Sequence, residues 1–203
     1  VIPVGTGNDW IRMYGLPTRY SAVIRAIKEG YTFLQDVAAV EYEESRYRQT
    51  RYMANVAGVG FDAAVIKRGQ TMNGNDKKKK GAGFYIRALI NTFFRYKPTG
   101  VKIWVNDRLL YNNLLFSLAA GVGKYNGGGI QQLPQSVADD GLLDITLIKP
   151  LHWWHVIFRL RRLVNGEIYS LGHVQHLQGS KIRRESSPEI ALDIDGELHG
   201  GTP

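Results

Sequence analysis

The hydrophobic pattern of this chain changes period near residue 30. A helical pattern starts at Trp10, where Asn8 or Asp9 is placed to cap a helix over Trp10–Tyr14. Pro17 disfavours helical geometry at the residue before it, so that helix stops at Gly15-Leu16-Pro17, and a second is expected over Tyr20–Lys28, ending at Gly30. Beyond it the texture is that of strands. Tyr31–Val40 and Arg48–Val56, rich in Val, Tyr, Phe and Thr, flank the charged Glu41–Arg46 stretch as arms of a long hairpin. Gly58-Val59-Gly60-Phe61-Asp62 reads as a strand-to-helix corner opening a short helix through Lys67. Gly83–Tyr96 is predicted helical, with Arg87, Asn91 and Arg95 recurring every four residues on its polar side. Val101–Val105 and Leu109–Ala119 form a predicted hairpin across Asn106-Asp107, and Leu142–Ile148 a further strand. Pro150 opens a helix through Leu163. The last strands are Val174–Arg183 and Glu189–Asp195; alternation in the latter puts Asp193 and Asp195 on one face. Together these elements predict an α+β fold: residues 1–36 form a short α/β piece, and residues 37–203 are predominantly a β-sandwich.

Composition changes this picture little, and charge more. The chain has 203 residues, 44% of them apolar and 22% charged, which suffices for a sizeable core. No run approaches the ~18 uncharged apolar residues that suggest a membrane-crossing helix, and nothing at the start resembles a signal peptide, so a soluble or peripheral protein is expected. The absence of Cys excludes disulfides, thiolate catalysis and Cys-ligated metals, and fits a reducing cytoplasm. A formal charge of +8 favours anionic partners: nucleotide phosphates, nucleic acid or an acidic lipid surface. The excess is clustered in Lys77–Lys80, in Arg159, Arg161 and Arg162, and in Lys181, Arg183 and Arg184. Each cluster reads either as solvated surface or, if all share one side, as a face for an anionic leaflet. No aromatic-plus-basic strand motif supports nucleic-acid binding, and none is expected.

Three segments carry candidate chemistry. Gly5-Thr6-Gly7-Asn8-Asp9 has the parts of a phosphate site: glycines for close backbone approach, a hydroxyl at Thr6, a following helix start and a carboxylate at Asp9. It lacks the Lys of a Walker A loop, and a tight turn with a cap is the plain alternative. Gly127-Gly128-Gly129 costs conformational entropy on ordering, so close approach or unusual dihedrals are required there. Asp139-Asp140-Gly141 then offers hard oxygen ligands suited to Mg²⁺ or Ca²⁺, or a simple turn before a strand. Asp193-Ile194-Asp195-Gly196-Glu197 ends a strand with Glu197 past the turn, where a carboxylate can accept a hydroxyl proton; an ordinary Asp-Gly hairpin is the alternative. The pairs His152/His155 and His173/His176 have chelating spacing but no third ligand.

In order along the chain, PVGTGNDWIRMYGLP, NVAGVGFDAAV, NGGGIQQLPQSVADDGLLDITLI and LDIDGELHG resemble the second half of the diacylglycerol kinase catalytic family, the bacterial lipid kinases that are also similar to sphingosine and ceramide kinases. The resemblance covers nearly the whole chain. It implies transfer of the γ-phosphate of ATP to a lipid hydroxyl, in a cleft between an α/β nucleotide-binding domain and a β-sandwich. It implies a nucleotide contact at Thr6, a carboxylate and water network around Mg²⁺ that includes Asp9 and Asp36, and cofactor-side roles for Lys80 and Asp195. Asp140, with the carbonyls of Val137 and Leu142, would hold a structural Mg²⁺, and Glu197 would be the proton acceptor. The family's GGDGT nucleotide loop would precede Val1, and its closing strands would follow Pro203. The first 36 residues would then be a remnant of the nucleotide-binding domain, and the isolated chain is expected to be inactive as a kinase. The implied partners are ATP and a membrane lipid, at a cytoplasmic location peripheral to the membrane, with a homodimer through sandwich edges as a further expectation. Two other readings stand beside this one: a nonenzymatic or regulatory lipid-binding module, and an NAD kinase-like enzyme.

Overall fold

The computed structural model describes residues 2–4, 7–30, 32–44, 46–72, 90–152, 162 and 165–200. In chain order the elements are α1 (Asp9–Met13), α2 (Tyr20–Glu29), β1 (Ala38–Glu44), β2 (Tyr47–Met53), β3 (Val56–Gly60), α3 (Phe61–Met72), β4 (Thr99–Val105), β5 (Arg108–Leu115), β6 (Ser117–Gly121), β7 (Tyr125–Asn126), β8 (Ile130–Gln131), β9 (Leu143–Ile148), a 3₁₀ turn (Ile168–Ser170), β10 (Val174–Gly179), β11 (Ile182–Ser187), β12 (Leu192–Ile194) and β13 (Glu197–His199). Among the described residues, six strands pair in the order β10-β9-β6-β3-β12-β13 and three in the order β11-β4-β5; β1-β2 and β7-β8 are separate hairpins. All these pairings are antiparallel.

The core lies between the two larger sheets. Val59, Leu118, Ala120, Ile145 and Leu147 from the six-stranded sheet meet Val101, Ile103, Val105 and Leu115 from the three-stranded one. These residues sit on alternate positions of their strands, so the period of two selects the buried face. β6 departs from alternation and is buried throughout, because Ala119 on its other face packs with Val56 and Leu133. The expected two-layer β-sandwich with few helices is the observed fold.

Several predicted strands are cut in two by corners. Arg48–Val56 breaks at Ala54-Asn55, where the chain leaves the β1-β2 hairpin and enters β3 in the large sheet. Leu109–Ala119 breaks at Phe116, whose N–H donates to the Ile148 carbonyl and whose carbonyl accepts from the Phe61 N–H. Val174–Arg183 breaks after Gly179, and its halves join different sheets. A run of β-forming residues carries no mark of a sheet change, since propensity is blind to which sheet a strand joins. Residues 32–37 are not strand; β1 starts at Ala38, so Asp36 lies in a loop.

The helix boundaries agree better, except that α3 runs to Met72, past the predicted end at Lys67; the caps and turns agree with one exception. Gly30 ends α2 in a left-handed conformation (φ 72°) as its position implies. Asn106 and Asp107, at φ 48° and 63°, make the two-residue hairpin turn between β4 and β5. The exception is the cap of α1. Asn8 is left-handed at φ 51° and no side chain caps the helix. The Asp9 carboxylate reaches across to another loop instead. Residues 90–93 are helical, within the predicted Gly83–Tyr96 helix. The lysine run, with Lys80, and nearly all of the predicted Pro150–Leu163 helix lie outside the described residues, as does Thr6. No helix among the described residues is long and apolar enough to cross a membrane, which leaves strand-built membrane proteins unaddressed.

Candidate active site

Three loops converge on the start of α1. Asp9 Oδ2 accepts the Gly128 N–H at 2.8 Å, joining the Gly7-Asn8-Asp9 turn to the triple-glycine loop 119 residues later. Gly127, Gly128 and Gly129 have φ of 62°, 86° and 113°, a run of left-handed backbone that only glycine adopts at low cost. The conformational demand expected of this segment is therefore real. Asp9 Oδ1 lies 3.9 Å from Arg12 Nε, and the Arg12 guanidinium stands over the Tyr125 ring at 5.9 Å.

Asp36 ties the acidic loop to the same region. Its N–H donates to the Ala138 carbonyl at 2.7 Å, and its Oδ2 accepts the Gly141 N–H at 2.7 Å. Asp140 Oδ1 accepts the Leu142 N–H at 3.0 Å, closing a local turn, and Asp139, Asp140 and Val137 are exposed. One carboxylate and neighbouring carbonyls at an exposed turn match the oxygen donors that a hard divalent cation takes. No cluster of three or more His, Asp or Glu side chains is gathered for a metal among the described residues. Of the histidines read as possible chelators, His176 instead pairs through Nε2 with the Asp144 carboxylate at 2.6 Å and stacks on Tyr169.

Asp195 and Gly196, just before Glu197, line the same cavity as Asn8 and Asp9. Asp195 is left-handed at φ 50°, so alternation stops at Ile194 and Asp195 does not share the face of Asp193 as strand periodicity predicts. Both of its carboxylate oxygens are engaged by the chain itself: Oδ2 accepts the Ala54 N–H at 2.8 Å, and Oδ1 accepts the Asn55 and Val56 N–H groups at 3.0 Å each. Asp195 thus fastens this turn to the corner between β2 and β3. Glu197 is exposed and held by Arg51 at 3.2 Å. The same corner is gripped from the other side, since the Asn55 carbonyl accepts the Val122 and Gly123 N–H groups. A Cβ on Gly121 would overlap the Asn55 carbonyl, and one on Gly123 its Oδ1.

This cavity has a volume of about 1100 Å³. Its lining includes the polar or backbone-lined Asn8, Asp9, Gly127, Asp195 and Gly196 and the apolar Ile11, Phe61, Val65, Phe116, Ile148 and Leu151. One polar band crosses it. Asn126 Nδ2 donates to Gln132 Oε1 at 3.0 Å, and Gln132 Nε2 donates to Asp62 Oδ2 at 2.7 Å. Burial pushes the Asp62 carboxyl up to about 6, against the lowering effect of its hydrogen bonds from Gln132 and Ser117. Asp193, fully buried beside it on β12, is pushed up to about 7 by burial first and the Asp62 charge second.

Several of these residues escaped the sequence reading. Gln35 accepts from both Trp10 Nε1 and Tyr14 Oη and donates to the Ala54 carbonyl, so one amide locks α1 to the β2-β3 corner. Asn55, Asp62 and Gln132 have comparable roles; all three stand in segments quoted for the family resemblance, but none was assigned a role there. A lone amide among loop residues carries no sequence signal when partners such as Trp10 and Ala54 for Gln35, Tyr125 for Asn55 and Asp62 for Gln132 are 19 to 70 residues away.

The class of fold is that of solved diacylglycerol kinase-named chains. A Bacillus anthracis structure named "a putative diacylglycerol kinase" superposes with a TM-score of 0.71 at 24% identity, over 100% of this chain and 63% of that one. The chain belongs to the family described as the YegS C-terminal NAD kinase beta sandwich-like domain, whose model matches residues 55–203. It is 28% identical over 204 residues to a Xanthomonas oryzae protein named "Probable lipid kinase YegS-like", covering 97% of this chain and 62% of that protein. It is also 28% identical over 199 residues to a Mycobacterium tuberculosis protein named "Diacylglycerol kinase", covering 98% and 62%. The chain thus spans about three fifths of the length of these two relatives, and 46% of a Stenotrophomonas maltophilia relative.

Proposed function

We propose that this chain forms the acceptor side of an ATP-dependent lipid kinase that transfers the γ-phosphate of ATP to the hydroxyl of diacylglycerol or a related lipid. The observation that carries this reading is the largely apolar cavity whose lining includes both the Gly7–Asp9 turn and Asp195-Gly196, with Glu197 next in sequence. An apolar cavity of this size suits acyl chains, while a phosphate donor requires the polar rim. The names of the relatives support a lipid kinase.

In this reading the Glu197 carboxylate, oriented by Arg51, accepts the proton of the lipid hydroxyl. The hydroxyl oxygen forms a bond to the γ-phosphorus, the bond from that phosphorus to the β–γ bridging oxygen breaks, and ADP leaves. Asp140 and the carbonyls of Val137 and Leu142 would hold Mg²⁺, which when bound steadies the surrounding loop and its charge. Asp36 fixes that loop from behind through Ala138 and Gly141. Asp9 sets the triple-glycine loop against α1, and Thr6 and Lys80 are assigned to the nucleotide by resemblance alone. Peripheral docking on an anionic leaflet belongs to the same proposal, since the acceptor resides in a membrane.

The test is a radiolabelled-ATP assay of the full gene product against diacylglycerol, sphingoid base, ceramide and NAD. Phosphorylation of a lipid and not of NAD is expected. Glu197→Gln should lower kcat on that lipid by roughly 100-fold or more, the usual contribution of a general base, with an unchanged melting temperature. A lipid turnover rate untouched by this substitution removes Glu197 from the chemistry.

A further inference from the structure

Glu197 is 70% exposed, and an exposed carboxylate samples many rotamers unless something holds it. Arg51 is one anchor, through Nη1 to Oε2 at 3.2 Å. A second group faces the same oxygen. Glu197 and His199 are alternate residues of β13, so their side chains leave the same face of that strand. His199 Nε2 lies 4.0 Å from Glu197 Oε2. The imidazole is buried, at 7% exposure, and its Nε2 has no hydrogen-bond partner among the described residues. Nδ1, by contrast, is paired with Tyr42 Oη at 3.3 Å, with the ring centroids 5.2 Å apart.

The β1-β2 hairpin supplies both outer partners. Arg51 is the direct cross-strand neighbour of Val40, and Val40 and Tyr42 alternate onto the same side of β1. One face of the hairpin therefore meets one face of β13, with Arg51 at Glu197 and Tyr42 at His199. These neighbours select the tautomer. With the proton on Nδ1, a bare and buried Nε2 would face a carboxylate oxygen that can only accept. With the Tyr42 hydroxyl donating to Nδ1, the proton sits on Nε2 and points at Oε2. A buried N–H left without an acceptor is costly, and a small rotation of the exposed Glu197 side chain closes the remaining gap. Arg51 and His199 then both hold Oε2, which leaves Oε1 for an incoming hydroxyl.

Resting on the lipid-kinase reading above, we propose that His199, its tautomer set by Tyr42, is a positioning residue: its Nε2–H and Arg51 together grip Oε2 of Glu197 and aim Oε1 at the lipid hydroxyl. Its role is orientation; the proton is accepted by Glu197 itself.

The experiment uses the full gene product with ATP and whichever of diacylglycerol, sphingoid base and ceramide it phosphorylates fastest. A glutamine amide can place an N–H where Nε2 stands, whereas asparagine reaches only the position of Nδ1. His199→Asn should lower kcat by about 10- to 100-fold, the scale of a misplaced catalytic group, with little change in either KM. His199→Gln should recover most of that loss. In the Glu197→Gln background His199→Asn should cost nothing further, because a residue acting through Glu197 has no effect once that carboxylate is gone. Full kcat in His199→Asn, or the same fold loss with and without the carboxylate, overturns the proposal. Tyr42→Phe keeps the imidazole and serves if His199→Asn does not fold: a fall in kcat that requires the Glu197 carboxylate is expected, and no fall overturns the proposal. Imidazole ¹⁵N NMR reads the pairing without turnover. A proton on Nε2 whose resonance moves in Glu197→Gln is expected, and a bare Nε2 overturns the proposal. That same Nε2–H signature in a protein that phosphorylates no lipid supports the pairing while rejecting the kinase reading.

Discussion

Asp195→Ala destabilises the protein by about 3 kcal/mol, read as a lowered urea midpoint at unchanged slope. Three backbone N–H groups, of Ala54, Asn55 and Val56, donate to this one carboxylate at 2.8 to 3.0 Å. Hydrogen bonds to a charged acceptor contribute roughly 1.5–3 kcal/mol each when sheltered. Asp195 is exposed, so solvent reduces that value and water replaces part of it. A second term adds to the loss: Asp195 is left-handed at φ 50°, a conformation Asp tolerates better than Ala by local hydrogen bonding. Asp195→Asn keeps the backbone preference and one acceptor oxygen, but turns an amide NH₂ toward N–H donors, and about half of the loss is expected. An unfolding free energy for the Ala variant within about 0.5 kcal/mol of the parent, the scale of an uneventful surface change, would show that water satisfies these N–H groups equally well.

The second large effect is a fall in stability as pH rises, carried by Asp193 and Asp62. Asp193 goes from 3.8 to about 7 and Asp62 from 3.8 to about 6, in both cases mainly through burial. Between these limits the folded state holds protons that the unfolded chain has released. The stabilisation is therefore fully present below pH 3.8 and is lost progressively until the pH passes the folded values near 6 and 7. One pKa unit corresponds to about 1.4 kcal/mol, and because the two acids share part of their shift, the combined loss is on the order of 3–5 kcal/mol. Asp193→Asn removes its own titration and relieves Asp62. In denaturation series at pH 5, 6.5 and 8, the variant should gain on the parent steadily with pH. A parent–variant difference that is level across this range contradicts the assignment.

Legibility in the sequence followed the range of the interactions. Gly30 and the Asn106-Asp107 pair were readable because a left-handed cap and a two-residue hairpin turn are set by the residues that occupy them. The strands β4 and β9 were readable as runs of β-forming residues, and both place residues in the sandwich core. Local reading misled at Asp195, where periodicity continued on paper while the backbone turned over. It also overstated the cap of α1: Asn8 holds the N-cap position, but no side chain caps the helix, and the Asp9 carboxylate accepts the Gly128 N–H instead.

The sequence by itself determined the class of fold, through the two periods of its hydrophobic pattern, and the family, through four ordered glycine- and aspartate-rich segments. It also marked Gly7–Asp9, Gly127–Gly129, Asp139–Gly141 and Asp195–Glu197 as places of chemistry, because glycine runs and turn acids are informative locally. Only the tertiary structure decided how these places meet: Asp9 on Gly128, Asp36 on Gly141, and Asp195 on the corner at Ala54–Val56. It alone brought Asp62 and Asp193 together over Gly58, because a missing Cβ and two acids 131 residues apart leave no joint trace in one dimension. Those contacts are fixed by strand register across β3, β6 and β12, and register is settled when the sheets pack.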